Sequence, residues 1–324
     1  MFSGLTERSL ASIRVVREFV GHHESLLSDR DAASRQEMKL YSMSACVTRL
    51  YAIYEDFVET LVSDYLDVVP DLCAFEDLTD TMRAEYRVGI SHLLNRLESP
   101  RYRHLNHGDL IRWYHEALTA HSPYRFVPEA LTRHDENLRL AVLDGMLKRV
   151  QLADLQGWLS HHEAIAALFD EPVALWGQVE AELKNFIQLR NDAAHGSLSS
   201  LAGPETLLRH CDLSSALVQA LSAYLYRDVV LWRKKVNKVR RIGRVSEVFE
   251  KAGAFIVPLS PGMFVSMHER VHLVGRWSCV EATIESLKLE EHSIDGVGAS
   301  SGDLEVGVVA SALPKRQMEI YADI

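Results

Sequence analysis

Cysteine is scarce in this chain, with four in 324 residues. Cys46, Cys73, Cys211 and Cys279 lie far apart and form no C-x-x-C pair, which points away from a disulfide scaffold or a zinc site and fits a reducing compartment. Also lacking are the apolar core of a signal peptide near the N-terminus and any apolar run long enough to span a bilayer. A cytoplasmic protein with no membrane partner is therefore expected. No Walker or Rossmann glycine pattern occurs, so no nucleotide cofactor is expected. His104-x-x-His107 and His161-His162-Glu163 have no companion pair at metal-ligand spacing; they read as surface histidines, and no metal is expected. Gly298-Ala-Ser300-Ser-Gly302 matches the G-x-S-x-G nucleophile elbow, but the last histidine of the chain is His292. The chain order that the elbow requires is therefore missing, and a loop explains the glycines.

Positive charge is also in deficit. The formal net charge is -10 at pH 7, which on average argues against a nucleic-acid partner. Binding depends on local patches, however. Arg233, Lys234, Lys235, Lys238, Arg240, Arg241 and Arg244 follow one another without an intervening acid. That run is either a segment that contacts RNA phosphates or a solvated linker charged for solubility.

What is present is helical periodicity. Leu50, Tyr54, Phe57, Val58, Leu61 and Tyr65 fall on one face of an amphipathic helix. Leu138, Val142, Leu143, Met146 and Leu147 continue the pattern. So do Val173, Leu175, Trp176, Val179, Leu183 and Phe186, with Pro172 suited to a first helical turn and Gly196 to a stop. Leu213, Ala216, Leu217, Ala220, Leu221 and Tyr224 predict a further helix starting near Asp212 or Ser214. Between the first two patterns, residues 70–137 break the period, contain Pro123 and Pro128, and read as an insertion of short helices and loops. After Gly243 short β-prone runs take over: 255–257, 263–265, 271–274, 280–284 and 304–308, separated by turn residues. The fold class expected is α+β multidomain: a helical domain over 1–232, a basic linker over 233–244 and a small β-barrel over 245–324.

One stretch carries chemistry. Arg190-Asn191-Asp-Ala-Ala-His195-Gly196 sets a permanent cation, an amide and an imidazole just beyond a long helix. Arginine offers a planar fork matched to phosphate oxygens, and histidine titrates nearest neutrality. Together they can cleave RNA without a metal. The substrate's 2′-hydroxyl attacks the neighbouring phosphate, a base takes its proton, an acid protonates the leaving 5′-oxygen, and a cation stabilises the added charge. His195 is the candidate acid or base, Arg190 the phosphate clamp, and Asn191 the group that positions an oxygen or the imidazole. On an unbroken helix Arg190 and His195 stand about 140° apart. Both reach one phosphate only if the helix ends first or a second protomer contributes.

Arg190-Asn191-x-x-x-His195-Gly196 between two long helices resembles the R-x(4–6)-H signature of HEPN-domain ribonucleases. Tyr51-Ala-Ile-Tyr-Glu55-Asp-Phe57-Val58 is similar to the aromatic and glutamate-bearing helix of that superfamily. Asn137-Leu-Arg-Leu, Trp176 and the Arg-Asn-x-x-x-His-Gly motif look most like its RiboL-PSP-HEPN branch, over about residues 35–232. The resemblance implies a bundle of helices, usually dimeric, whose two motifs face each other. It also implies metal-independent RNA cleavage in toxin–antitoxin or antiphage systems, with an antitoxin or sensor protein as a further partner. Glu55 has apolar neighbours on its helix, so it either finds a partner, for which Arg190 is the candidate, or is a boundary glutamate reaching solvent. The alternative is a non-catalytic HEPN-type module that binds RNA, a nucleotide or a protein. In the last eighty or so residues, Ala282-Thr-Ile-Glu-Ser-Leu287, Asp295-Gly296 and Glu305-Val-Gly-Val308 resemble the second domain of elongation factor Tu and similar small barrels.

Overall fold

The computed structural model describes residues 2–26, 31–119, 124–194, 203–290 and 292–324. They divide into two compact units, Met1–Ser222 and Ala223–Ile324.

The first unit is helical. Helix α1 (Ser3–Leu26) packs on α2 (Ala32–Val68), whose N-terminus is capped by Asp31 accepting from the Ser34 amide at 3.0 Å. That bond satisfies one of the donors left open at a helix start. Leu50, Tyr54, Phe57, Val58, Leu61 and Tyr65 are all buried, as their spacing predicts. Residues 70–137 hold α3 (Asp80–Leu94), α4 (His107–Thr119) and α5 (Pro128–Thr132), so the broken period conceals two helices of ordinary length. Next come α6 (Leu140–Arg149), α7 (Leu155–His161) and α8 (Glu163–Ala166). His162 is not a surface residue. It is buried beside Trp158, and its Nδ1 caps α8 by accepting from the Ala164 amide at 3.3 Å.

Helix α9 spans Leu175–Ala194 and α10 spans Pro204–Lys235. Both starts differ from expectation. Pro172 lies outside α9, because the chain turns through Ala174 at φ 52° before the helix begins, and Val173 is 70% exposed. Helix α10 starts before Asp212 because its core face continues back through Cys211, His210 and Leu207, all buried. A polar imidazole on that face hides the period. The second unit takes over within α10, at Ala223.

The rest of the second unit is an antiparallel sheet. Strands β1 (Val239–Arg244), β2 (Glu247–Phe249), β3 (Ala254–Leu259), β4 (Phe264–Ser266) and β5 (Arg270–Val274) come first. Then follow β6 (Cys279–Leu289), β7 (His292–Ile294), β8 (Gly296–Gly298), β9 (Leu304–Ala310) and β10 (Glu319–Asp323). The main order is β1-β10-β5-β6-β9-β3-β2, with β7 beside β6 and β4 paired to β8. Strand β6 bulges between Ile284 and Ser286, so its first half pairs with β5 and its second with β9. Such a bulge bends a strand and tightens the curl of a sheet. At Gly243 an added Cβ would lie 2.5 Å from Val257 Cγ1 and 2.7 Å from the Pro258 carbonyl, so glycine is what lets β1 approach β3. The curl encloses Val257, Leu259, Leu273, Ile284, Leu287 and Val306. Ser300 follows a strand and leads to another strand, not to a helix, so no nucleophile elbow is formed.

The expected linker over 233–244 is a correction. Arg233, Lys234 and Lys235 form the last turn of α10, while Arg240, Arg241 and Arg244 lie in β1, paired along β10. Among the described residues, no helix is long and apolar enough to cross a membrane.

Candidate active site

The apolar stripe of α9 (Leu175, Val179, Leu183, Phe186 and Ile187) is buried, which fixes the rotation of the helix and the side from which Arg190 emerges. Arg190 is half-buried. Its Nη1 donates to Asn191 Oδ1 at 3.1 Å and to Asn137 Oδ1 at 3.3 Å, while Asn137 Nδ2 donates to Asn191 Oδ1 at 3.3 Å. Its guanidinium carbon lies 4.8 Å from the centre of the Tyr51 ring, a cation–π contact. Amides on two sides and an aromatic face below hold the cation without neutralising it.

Tyr51 joins Arg190 to α2. Its hydroxyl accepts from the Leu138 amide at 2.9 Å and donates to Glu55 Oε1 at 3.2 Å. Burial, aided by the Glu55 carboxylate, pushes the phenol up to about 12, against the opposing pull of the Leu138 amide and Arg190. Tyr51 therefore stays neutral and acts as a donor. The expected Arg190–Glu55 ion pair does not form among the described residues. The tyrosine one turn before Glu55 supplies the partner that its apolar surroundings require, and among the described residues Glu55 reaches the cluster through that side chain. His195 and Gly196 lie outside the described residues, and α9 is unbroken through Ala194. The structure thus brings together Arg190, Asn191 and, at one remove, Glu55. Two participants, Asn137 and Tyr51, carry no role that the sequence alone assigns. Their signal was only that both stand in stretches resembling family motifs.

The basic run is largely spoken for. Arg233 pairs with Asp323 at 2.9 Å and Arg240 with Glu269. Arg241 and Arg244 both pair with Glu319, each at 2.6 Å. Glu319 is held below the usual carboxylate range because these arginines outweigh its burial. Lys234 lies 5.2 Å from the Tyr321 ring and Lys235 4.5 Å from the Trp232 ring, over aromatic faces rather than against carboxylates among the described residues. Lys238 lies in the turn between α10 and β1. Acids distant in sequence therefore compensate a run that carries no acid of its own.

Behind the cluster, Phe186 stacks on His210 with ring centres 4.9 Å apart. His210 is 1% exposed, neither ring nitrogen has a partner among the described residues, and burial pushes its pKa down to about 4. It is neutral in the fold, so the unfolded chain binds the extra proton as pH falls from about 6.5 towards 4, and stability drops across that window. Replacing His210 with leucine is expected to raise the melting temperature, with a larger gain at pH 5 than at pH 8. An equal gain at both pH values would show that the imidazole is not buried neutral.

These features define a class: a helical domain in which two long helices present a caged arginine–amide cluster at the end of one of them. The family model for RiboL-PSP-HEPN matches residues 14–227, about two thirds of the chain, and the chain belongs to that family. The match begins within α1, earlier than the sequence motifs alone indicated. Membership supports a ribonuclease-type or RNA-binding module. No curated protein and no solved structure matches the chain, and the likeness of the second unit to elongation factor Tu is not confirmed.

Proposed function

We propose that this chain is a metal-independent endoribonuclease, acting as a homodimer in a toxin or antiphage-defence setting where an antitoxin or sensor protein restrains it. The observation that carries this reading is the caged Arg190. A permanent cation, half-buried and oriented by two amide oxygens and an aromatic ring, is suited to a phosphate that gains charge in the transition state. It stands five residues before a histidine able to move a proton near neutral pH. In this reading Arg190 clamps the phosphate, Asn191 and Asn137 fix the fork, His195 is the acid or base, and Glu55 fixes the Tyr51 ring under the cation. RNA is gripped chiefly at this cluster. The basic segment adds Lys234 and Lys235 rather than its arginines, whose release to phosphate would take Arg240 from Glu269 and both Arg241 and Arg244 from Glu319.

The test is cleavage of total RNA in excess chelator, followed by analysis of the ends. Attack by the 2′-hydroxyl predicts 2′,3′-cyclic phosphate and 5′-hydroxyl termini at an undiminished rate. A strict requirement for magnesium or manganese would refute the mechanism. RNA binding without cleavage would favour the non-catalytic module.

A further inference from the structure

One turn of α2 beyond Glu55 lies a second polar cluster. His134 Nε2 is 2.8 Å from Glu59 Oε1, and its Nδ1 is 2.7 Å from the Glu136 carbonyl oxygen. Arg101 donates to the same Glu59 oxygen at 2.7 Å and to the His134 carbonyl at 3.2 Å. The imidazole is 7% exposed. Both of its partners are acceptors: a carbonyl carries no proton, and Glu59 is held below its usual range because His134 and Arg101 outweigh the effect of burial. Each ring nitrogen must therefore donate, and His134 is an imidazolium.

His134 lies in the segment between α5 and α6 that also carries Asn137. This segment is held at both ends. Arg149 donates to the Leu131 and Arg133 carbonyls at 2.9 and 2.7 Å, and Leu138 is fixed on Tyr51 and Tyr54 of α2. Between these anchors lie His134, in contact with Glu59, and Asn137, whose Oδ1 accepts from Arg190. We propose that His134, clamped to Glu59 and Arg101, is a positioning residue that presents Asn137 to Arg190 and thereby orients the phosphate clamp. This rests on the reading of Arg190 as the phosphate-binding group. Loss of one proton from His134 removes one of its two donations and slackens the segment.

The charges facing His134 come from several elements. Glu59 of α2 raises its pKa through the hydrogen bond, while burial and Arg101 oppose that rise and the Glu136 carbonyl supports it. Arg96 of the turn after α3 engages Asp135 at 2.9 Å, and Arg133 engages Glu85 of α3 at 2.5 Å. His92 of α3, with its pKa lowered chiefly by burial, also feels Arg96, Asp135, Arg133 and Arg101. With Glu59 dominant, His134 is protonated below a raised pKa, and its clamp weakens as pH rises through that value.

The test uses the full chain and three variants, His134→Gln, Asn137→Ala and the double variant, with Glu59→Gln as a second route to the clamp. Single-turnover cleavage at saturating RNA is expected to fall about tenfold to a hundredfold in His134→Gln, as for a misplaced reacting group. Asn137→Ala should fall comparably, and the double variant no further than Asn137→Ala. Multiplying losses would overturn the proposal. Nitrogen NMR of the His134 ring should show a titration above that of an ordinary histidine, with both nitrogens protonated below it, that moves to lower pH in Glu59→Gln; an unmoved titration would also overturn it. Hydrogen exchange at the Leu138 amide reads the same clamp without RNA. It should quicken in His134→Gln while the melting temperature confirms a folded protein, and unchanged exchange would refute the clamp. If the native chain cleaves no RNA, the ribonuclease reading fails on that result alone, and the NMR and exchange measurements still decide the clamp.

Discussion

A folded His195→Ala variant is expected to lose RNA cleavage by about 10²- to 10⁴-fold, the usual weight of a positioned proton-transfer group. Arg190→Lys should fall almost as far although it keeps the positive charge. The guanidinium is fixed by three neighbours at once: two amide oxygens within hydrogen-bond reach and the Tyr51 ring 4.8 Å away. An ammonium is a point charge on a flexible stem and cannot reproduce the planar fork or the stacking. Asn191→Ala should cost less, because Asn137 still holds the same Arg190 nitrogen. The measurement is single-turnover cleavage at saturating RNA, with a thermal melt to show that each variant folds. Loss in the chemical step persists at saturation, whereas a binding loss is overcome there. Wild-type rates in folded His195→Ala would remove the catalytic assignment, and wild-type rates in Arg190→Lys would mean that only charge matters at this position.

The helices that frame this site were legible because a period of 3.6 residues shows wherever one face is apolar. Helix α2 has that face from Leu50 to Tyr65, and α9 has it from Leu175 to Ile187. Legibility failed where polar groups sit on a buried face or where charge is balanced from afar. His210 occupies a core position of α10 and masks its first turns. Strand β1 carries three arginines in six residues, so it reads as a solvated connector until β10 brings Glu319 beside two of them. The contact between Arg241 and Glu319 spans 78 residues of chain, beyond the reach of any local pattern.

The same distinction runs through the site itself. Arg190 and Asn191 are adjacent in sequence and readable as a pair. Asn137 reaches Arg190 across 53 residues, and His134 reaches Glu59 across 75. Glu55 shows the opposite error. By charge its partner is Arg190, far away on α9, yet the hydroxyl of Tyr51 on the same helix satisfies it at 3.2 Å. Residues four apart on a helix are neighbours, so the nearer donor was visible in the spacing and outcompetes the distant cation.

Gly89→Ala should destabilise the helical unit by at least about 1–3 kcal/mol, although alanine is the better helix former by about 1 kcal/mol. Gly89 is buried in α3 where that helix meets α5. An added Cβ would fall 2.6 Å from the Ala130 carbonyl carbon and 2.8 Å from its Cα, closer still to the oxygen. The obstacle is backbone and not the far end of a flexible side chain, so α3 and α5 must separate. Gly145 of α6 is the matched control, with nothing within 4 Å of an added Cβ. Gly145→Ala should therefore gain about 0.5–1 kcal/mol from propensity alone. Opposite shifts in melting temperature are the expected result, and a stabilised Gly89→Ala protein would show that α3 and α5 do not pack this closely. The strain would also reach the site. Helix α5 ends at Thr132 and delivers the segment that carries His134 and Asn137, so displacing it pulls Asn137 from Arg190. In the fraction that remains folded, Gly89→Ala should accordingly cleave RNA more slowly than Gly145→Ala, which leaves α5 in place.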